Sequence, residues 1–512
     1  GDIVYSAPVF VKAPFGGYDD PGYATFKSNQ ASRIPMVYVG ANDGMLHALH
    51  AGGASDLNAG NEAWAFIPTF SLPKLYKLAS EGYSNDYVAF IDGTPVVNDI
   101  CASDCAAPTP PAASTAVWKT ILVSGLRNGG KGYFALDVTD PAVPKALWEF
   151  KWSDACFDAG SLADQFTDCH VGLSYGDPVI AKLEDGRWVV FVTSGYNNVN
   201  DPVKSGDGQG YLYVLEATTG KILYKIGTGV GSSTNVSGLA HISARSVETL
   251  RDNTAKFIYG TDLLGNVWRF DVNNLIAPSG VEASLLATLV DSLGNAQPIT
   301  TKPQLGVVGT DPWVYVGTGQ YLGEQDLNPA NYKTQSVWGI KDPLTSTAVT
   351  NLRSTFKKVV TTTVGGETST TAYRTSSCSE RCTATDGWFV DLPASGERVN
   401  IDMKLDLGTL LVASNLPPAS ACEIGGSSWL NFFDASTGLA VAGSLNASTG
   451  SRVLNALGQL TQVVGINIIR TATGEVKVQA STFDAGISNP YVAFSTPAPT
   501  GKRVTWREII VQ

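Results

Sequence analysis

The sequence predicts an all-β fold, a β-propeller built from four-stranded antiparallel blades. Three observations lead to this prediction: a strand–turn–strand motif recurs, a proline precedes a further strand before most copies, and helical periodicity is weak throughout. Because 512 residues exceed the size at which one compact core stops growing, repeated units are expected. We expect seven blades, with six or eight as the alternatives, in a single domain over residues 1–512.

The recurring motif is clearest in VYVGANDGMLHALHAGG, residues 37–53. An apolar strand is followed by Asn42, Asp43 and Gly44, which favour the positive φ angles of a tight turn, and then by an alternating strand. The same order of strand, glycine-containing turn and strand recurs at 121–141, 190–226, 257–274, 313–342 and 410–438. The motif therefore predicts a β-hairpin in each repeat.

Two further strands complete each predicted unit. Proline cannot donate to a strand ladder but is tolerated at the first residue of a strand, so a new strand is expected just after Pro8, Pro95, Pro178 and Pro303. Short segments such as KILYKI (221–226) supply the fourth strand, and the terminal segments GDIVYSAPVFV and RVTWREIIVQ could share one blade. Long loop insertions are expected at 54–90, 101–117, 151–170 and 343–385, where loops of this length are more often specialised than simple connections.

The composition excludes several classes of partner. The chain has 35 Lys and Arg against 46 Asp and Glu, a net charge of −11, and no basic cluster, so neither nucleic acid nor an anionic membrane surface is expected to bind it. No stretch approaches 18 consecutive apolar residues, so no direct membrane insertion is expected. Because the sequence begins within a pattern, we expect a mature piece of a longer protein.

The seven cysteines indicate an oxidising compartment: the periplasm, the cell surface or the medium. A zinc site would need four thiolate or imidazole ligands, yet only Cys169-His170 places a histidine beside a cysteine. Cys382–Cys422 is a rival to one of the local pairs, since a four-residue separation leaves little room for the disulfide torsion. Proximity otherwise predicts the disulfides Cys101–Cys105, Cys156–Cys169 and Cys378–Cys382.

Two catalytic motifs are incomplete, so no catalytic residue and no enzymatic activity are expected. GLRNGGKG (125–132) resembles a phosphate loop, but Gly132 stands where Ser or Thr should hold magnesium, and a strand follows where a helix is required. GLSYG (172–176) resembles a nucleophile elbow around Ser174, with His170 as the nearest base, but it too precedes a strand. The recurring tryptophans are expected to pack between blades: Trp64, Trp118, Trp148, Trp188, Trp268, Trp313, Trp338, Trp388 and Trp429.

The blade motif is also similar to that of quinone-dependent dehydrogenases. The resemblance implies a quinone beneath a disulfide of adjacent cysteines and beside a bound calcium ion. No Cys-Cys dipeptide occurs in this chain. A propeller enzyme of this kind is therefore retained only as an alternative.

The full pattern resembles the C-terminal domain of the PilY/PilC family of type IV pilus tip-associated adhesin and biogenesis proteins. Single pieces are generic to propellers, whereas GNVWRFD, DLPASGERV and the C-terminal ending are specific. The matching segments cover nearly the full length in order and are 1–11, 37–49, 132–141, 206–221, 259–271, 388–399 and 501–512.

This resemblance implies a larger parent protein whose N-terminal region, often including a von Willebrand A-like domain, is absent here. It implies a position at or near the pilus tip after transit through the periplasm or outer membrane, with roles in pilus assembly, retraction control, twitching motility and attachment. The implied partners are minor pilins, the N-terminal region of the same protein, and host or abiotic surfaces. An envelope assembly scaffold without an adhesive role is the alternative.

The resemblance also implies an aspartate-rich, EF-hand-like calcium loop just before YGTDLLGNVWRFD. The corresponding residues, 247–257, offer only Glu248, Asp252 and Asn253 as ligands, beside Arg251 and Lys256, whose charges repel a divalent cation. We therefore predict, against the family pattern, a hairpin turn that binds no calcium, and no required cofactor.

A substitute calcium site is a weaker candidate in NNVNDPVKSGDG. Its oxygen-bearing side chains could approach the six to eight ligands that calcium takes, although Pro202 and Lys204 interrupt their alternation. The alternative is an ordinary polar loop. The candidate ligands are Asn197, Asn198, Asn200, Asp201 and Asp207.

Overall fold

The computed structural model describes most of the chain as β-strands joined by turns. Among the described residues there are thirty strands, two short α-helices and four 3-10 helices, which confirms the predicted all-β composition. The helices are α1 (Tyr23–Asn29) and α2 (Leu352–Thr355), and the 3-10 helices are Leu72–Ala79, Arg127–Gly129, Glu324–Leu327 and Pro329–Asn331. The described residues are 1–52, 58–83, 87–105, 115–157, 165–199, 206–246, 248–275, 281–364, 373–418, 425–441, 456–459, 461–470, 476–484 and 486–488.

The chain separates into two compact units. The first comprises residues 1–258 and 270–283, and the second comprises residues 259–269 and 284–512. The single domain expected over 1–512 and the number of blades stay predictions.

Three sheets lie in the first unit, and each follows chain order. The first consists of β1 (Val9–Val11), β2 (Met36–Gly40), β3 (Leu46–His50) and β4 (Glu62–Phe66). The second consists of β5 (Val96–Ser103), β6 (Val117–Gly125), β7 (Gly132–Asp137), β8 (Lys145–Trp152) and β9 (Thr167–Asp168). The third consists of β10 (Val179–Lys182), β11 (Trp188–Thr193), β12 (Gln209–Glu216) and β13 (Ile222–Gly231).

The division between the units runs through strands of a fourth sheet. In chain order, this sheet consists of β14 (His241–Ser246), β15 (Ala255–Thr261), β16 (Asn266–Asp271) and β17 (Glu282–Thr288).

A ten-stranded sheet dominates the second unit, in the order β18-β19-β20-β23-β21-β22-β27-β26-β25-β24. A separate three-stranded sheet consists of β28 (Val463–Arg470), β29 (Val476–Thr482) and β30 (Ile487–Ser488). The strands of the large sheet are β18 (Gln304–Val308), β19 (Asp311–Gly317), β20 (Ser336–Lys341), β21 (Lys357–Val364), β22 (Tyr373–Glu380), β23 (Gly387–Asp391), β24 (Lys404–Asp406), β25 (Thr409–Leu416), β26 (Ser427–Asp434) and β27 (Ala456–Gln459).

Three of the expected loop insertions contain strands: 54–90 includes β4, 151–170 includes β9, and 343–385 includes a hairpin. The segment 343–385 contains β21 and β22, and this hairpin links two four-stranded groups: β21 pairs in parallel with β23, and β22 pairs antiparallel with β27. The loop predicted there is therefore wrong. The run KKVVTTTV in β21 is rich in β-branched residues, which favour a pleated strand. The sequence does not indicate, however, which strands pair with it.

The local signals in the sequence are confirmed where the structure describes them. β1, β5, β10 and β18 each begin at the residue after the proline that predicted them. In the opening motif, β2 pairs antiparallel with β3, Gly44 has a φ of 91°, and the carboxylate of Asp43 accepts a hydrogen bond from the Met45 amide. The proposed C-terminal strand RVTWREIIVQ lies outside the described residues.

In each unit, tryptophans connect one group of strands to the next through the same contact. The indole of Trp64 in β4 donates to the Pro141 carbonyl, that of Trp148 in β8 to the Ala217 carbonyl, and that of Trp388 in β23 to the Ala435 carbonyl. In each case the acceptor follows a strand of the neighbouring group of strands.

The Thr-Gly turns of the motif complete two of these tryptophan contacts. Gly220 and Gly438 have φ values of 74° and 71°, and a Cβ atom at either position would lie within 2.6 Å of the ring of Trp148 or Trp388. Glycine therefore permits both the backbone conformation and the close packing of the indole. The recurrence of these turns is explained by packing between neighbouring groups of strands.

Candidate functional site

The turn at the expected calcium position is a compact, hydrogen-bonded turn. The amides of Arg251, Asp252 and Asn253 all donate to the carbonyl of Glu248. Asn253 adopts a φ of 52°, and its side-chain amide donates to the Ile180 carbonyl at 3.1 Å. Its own carbonyl accepts from the Lys182 amide at 3.0 Å.

A lysine ammonium lies between two carboxylates at this turn. Nζ of Lys182 is 2.7 Å from Oδ1 of Asp20 and 3.0 Å from Oδ1 of Asp252. Burial by itself would lower the pKa of Lys182, but the hydrogen bonds to Asp20 and Asp252 raise it above its usual value. Burial would likewise raise the pKa of Asp252, but the hydrogen bonds from Lys182 and Thr254 bring it below its usual value.

These residues do not fit calcium. The ion requires six to eight oxygen ligands, and the Asp252 oxygen that faces the turn is already bound by Lys182 and by the Thr254 hydroxyl at 2.8 Å. The carboxylate of Glu248 is 3.9 Å from the Arg251 guanidinium, and the Asn253 side chain uses its NH₂ group as a donor. Calcium binding by this chain was predicted to be absent and stays a prediction.

The substitute calcium candidate is only partly described. Asn200 and Asp201 lie outside the described residues, and Asn197 has a φ of 55°. Asn198 is buried and donates to the Gln209 carbonyl at 2.9 Å. Asp207 accepts from the Gln209 amide at 2.9 Å and from the Tyr211 hydroxyl at 2.6 Å. Asn198 and Asp207 therefore both bond to the backbone of Gln209, the first residue of β12. Metal binding there stays a prediction.

His170, the candidate base, belongs to a buried charge cluster. Its Nδ1 atom is 2.9 Å from Oδ1 of Asp168, and Nζ of Lys225 is 2.7 Å from Oδ2 of the same fully buried carboxylate. Burial would raise the pKa of Asp168, but the His170 hydrogen bond and the Lys225 charge hold it below its usual value. Sequence analysis did not identify Asp168 or Lys225, because the residues around each of them do not show that the two side chains meet in the folded chain.

This cluster is not suited to a metal ion. Ligand atoms of Cys156, Asp168, Cys169 and His170 lie within 4.8 Å of one another. The two sulfur atoms, however, are bonded to each other, so neither can supply the thiolate that binds zinc. The cluster instead joins β9 to β13 beside a disulfide.

Ser174 and the glycine-rich turn serve the backbone. The Ser174 hydroxyl accepts from the Leu126 amide at 2.9 Å and donates to the Gly130 carbonyl at 3.3 Å, and the side chain is buried. The strand β10 follows Ser174, and the strand β7 follows the glycine-rich turn, so neither motif has the helix that its chemistry requires. Neither segment forms a catalytic arrangement.

Three disulfides are present among the described cysteines. They are Cys101–Cys105, Cys156–Cys169 and Cys378–Cys382, with Cα–Cα separations of 5.8, 4.6 and 5.7 Å. The structure thus has the local pair Cys378–Cys382 where Cys382–Cys422 was the rival, and Cys422 lies outside the described residues. No helix among the described residues has the length and apolar character needed to cross a bilayer.

Part of the first unit exposes large apolar side chains. We call this set the aromatic surface. Tyr5 is 62% exposed and Tyr76 is 72% exposed, and the Tyr87 hydroxyl donates to Asp2 at 3.0 Å, which connects this tyrosine to the N-terminal segment. Large exposed apolar side chains are candidates for contact with a partner where they lie together. Its members are Ile3, Val4, Tyr5, Leu72, Tyr76 and Tyr87.

Antiparallel four-stranded sheets, tryptophans that join consecutive groups of strands and local disulfides define a disulfide-containing β-propeller protein. The PilY1 β-propeller domain family matches residues 1–376, and the chain belongs to this family. The predicted family resemblance and the predicted fold class are thereby confirmed.

Relatives and a solved structure agree with this assignment. The chain is 31% identical to the type IV pilus biogenesis factor PilY1 of Pseudomonas aeruginosa, over 86% of this chain and 38% of that protein. It is 30% identical to a type IV pilus biogenesis factor PilY1 homolog of Xylella fastidiosa, over 100% of this chain and 39% of that protein. The crystal structure of the P. aeruginosa PilY1 C-terminal domain matches with a TM-score of 0.65 and 28% identity, covering 90% of this chain and 93% of that one. The chain thus spans well under half the length of these full-length relatives.

Proposed function

We propose that this domain is a non-enzymatic part of a type IV pilus biogenesis factor, acting at or near the pilus tip. In this role it supports pilus assembly, twitching motility and attachment to surfaces. The observation that carries the proposal is membership of the PilY1 β-propeller family together with relatives that are named type IV pilus biogenesis factors.

The arrangement of the candidate catalytic residues favours binding over catalysis. A nucleophile needs a base within hydrogen-bond reach and an accessible position for the reacting atom. Ser174 is buried and uses its hydroxyl for two backbone groups, and His170 is held by Asp168. Both residues therefore stabilise local structure, which supports a role in binding.

The proposed partners are pilus components, above all minor pilins, and the remainder of the same polypeptide. The aromatic surface supports this proposal, because exposed apolar side chains lower their free energy when a partner covers them. The disulfides support a location in the envelope or on the cell surface, where thiols are oxidised. Host and abiotic surfaces are proposed as further contacts of the assembled pilus.

The test is a deletion of this region from the full-length protein in its native host, with three separate measurements. Surface pili are quantified by shearing, twitching is scored by zone diameter, and attachment is scored per piliated cell. We expect all three to fall. Loss of pili with unchanged attachment per piliated cell would favour the assembly scaffold, whereas unchanged values in all three would contradict the proposal.

A surface variant separates contact from folding. Leu72→Ser with Tyr76→Ser removes two exposed side chains from the aromatic surface and should reduce piliation or attachment while the protein accumulates normally. Leu293→Ser is the matched control, because Leu293 is 86% exposed but lies outside that surface. Equal effects of the two variants would remove the aromatic surface from the proposal.

A further inference from the structure

The position of Lys182 suggests how this chain holds the turn at 248–254 without a metal ion. We infer that the Lys182 ammonium supplies the positive charge that joins the carboxylates of Asp20 and Asp252, in the role that calcium would otherwise have. The inference concerns the metal dependence of the fold and does not rest on the proposed function.

Three separate chain segments meet at this ammonium. The Gly17 amide donates to the Leu250 carbonyl at 2.7 Å, and the Asp19 amide donates to the Arg251 carbonyl at 3.0 Å. β10 also contacts the turn, where the Lys182 amide donates to the Asn253 carbonyl at 3.0 Å. The Lys182 side chain then connects all three segments, because one carboxylate belongs to the segment 17–20 and the other to the turn.

The geometry resembles that of a cation with carboxylate ligands from separate loops. Two carboxylate oxygens lie within 3.0 Å of the same nitrogen, and the lysine side chain is only 10% exposed. An ammonium has three donors and one charge, whereas calcium takes oxygens at about 2.3–2.6 Å and carries two charges. The lysine therefore joins the carboxylates of Asp20 and Asp252 with fewer ligands than calcium would need. Its position does not vary with the calcium concentration outside the cell.

Charge balance gives the consequence of removing this lysine. The guanidinium of Arg251 pairs with the carboxylate of Asp19 at 2.7 Å and partly neutralises that carboxylate. Without Lys182, the carboxylates of Asp20 and Asp252 would lie near each other with no cation between them, and like charges at such distances repel. Truncating the side chain removes this positive charge and adds no oxygen ligand, so the two carboxylates remain too few for calcium.

The experiment compares the purified domain with Lys182→Ala and Lys182→Arg variants. Melting temperature is measured in EGTA and in calcium, and terbium luminescence is measured under tryptophan excitation. The Trp188 ring centre is 6.0 Å from Nζ of Lys182, close enough to sensitise a terbium ion that takes the position of the ammonium.

We expect the unaltered domain to melt at the same temperature with and without calcium and to give no saturable terbium signal. Lys182→Ala should melt lower than the unaltered domain by the same amount in EGTA and in calcium, with no saturable terbium signal, because Asp20 and Asp252 by themselves supply too few oxygens for the ion. Lys182→Arg keeps the charge and should behave like the unaltered domain. Lys341→Ala, which removes a more exposed ion pair with Asp311, is the matched control and should melt close to the unaltered domain.

Two results would overturn the inference. One is stabilisation of the unaltered domain by calcium that disappears in Asp252→Asn, because the turn would then bind calcium beside the lysine. The other is a Lys182→Ala domain that folds and melts at the temperature of the unaltered domain. If Lys182→Ala does not fold, Lys182→Gln with Asp252 intact provides the same comparison, and the calcium response of the unaltered domain still decides the first point.

Discussion

Replacing Glu397 by Gln should destabilise the second unit strongly, because it breaks a fully buried ion pair. Nη1 and Nη2 of Arg374 donate to the two oxygens of Glu397 at 2.7 and 2.9 Å, and both side chains are completely buried. The guanidinium also lies over the Trp429 ring, 3.9 Å from its centre. Arg374 comes from the hairpin strand β22, so this pair anchors the hairpin to the segment after β23.

The magnitude follows from burial. Glu397→Gln leaves the Arg374 charge without its counter-ion and turns an NH₂ group toward another donor, and breaking such a buried pair costs about 3–5 kcal/mol. Arg374→Met together with Glu397→Leu removes both charges, and apolar replacements of a buried pair are often neutral or stabilising. We therefore expect the double variant to recover most of the free energy that the single variant loses.

The assay is urea denaturation followed by tryptophan fluorescence, to which Trp429 contributes as one of the eleven tryptophans of the chain. Glu380→Gln is the matched control, because its ion pair with Lys358 lies on the same hairpin but is exposed, and its midpoint should not move. If Glu397→Gln loses less than about 1 kcal/mol of the free energy of unfolding, the reasoning is refuted, because leaving a buried charge without its counter-ion costs more than that. A double variant less stable than the single variant would refute it as well.

Two further predictions concern the first unit. The lowered pKa of Asp168 means that its contribution to stability is complete above the usual aspartate pKa of about 4 and is lost as the pH falls through the lower folded-state value. Asp168→Asn should therefore flatten the acid side of a plot of melting temperature against pH, and an unchanged acid slope would contradict this. Gly129→Ala should cost about 1–3 kcal/mol, because its Cβ would lie 1.6 Å from the Phe90 carbonyl oxygen and the backbone must shift. Gly82→Ala, whose Cβ has only one neighbour at 3.8 Å, should stay within about 0.5 kcal/mol in the same denaturation experiment, and equal losses would show that packing at Gly129 is not the cause.

Where a strand or turn of this protein has its own local signal, the sequence was sufficient to predict it. A proline sets the first residue of a strand, and an Asn-Asp-Gly run sets a tight turn, whatever surrounds them. Proximity in the sequence also predicted the disulfides Cys101–Cys105 and Cys378–Cys382, while Cys382–Cys422 stayed open as a rival until the structure was known. The repeat of these local signals predicted the fold class and the family resemblance.

The tertiary structure alone decided which charges meet. Lys182 pairs with Asp20 and Asp252, which are far from it in sequence, and Lys225 reaches Asp168 from a different strand. The hairpin in 343–385 looked like a loop because its partner strands, β23 and β27, are chosen by the surrounding sheet. Long-range pairs depend on how the sheets pack, and no local pattern of residues carries that information.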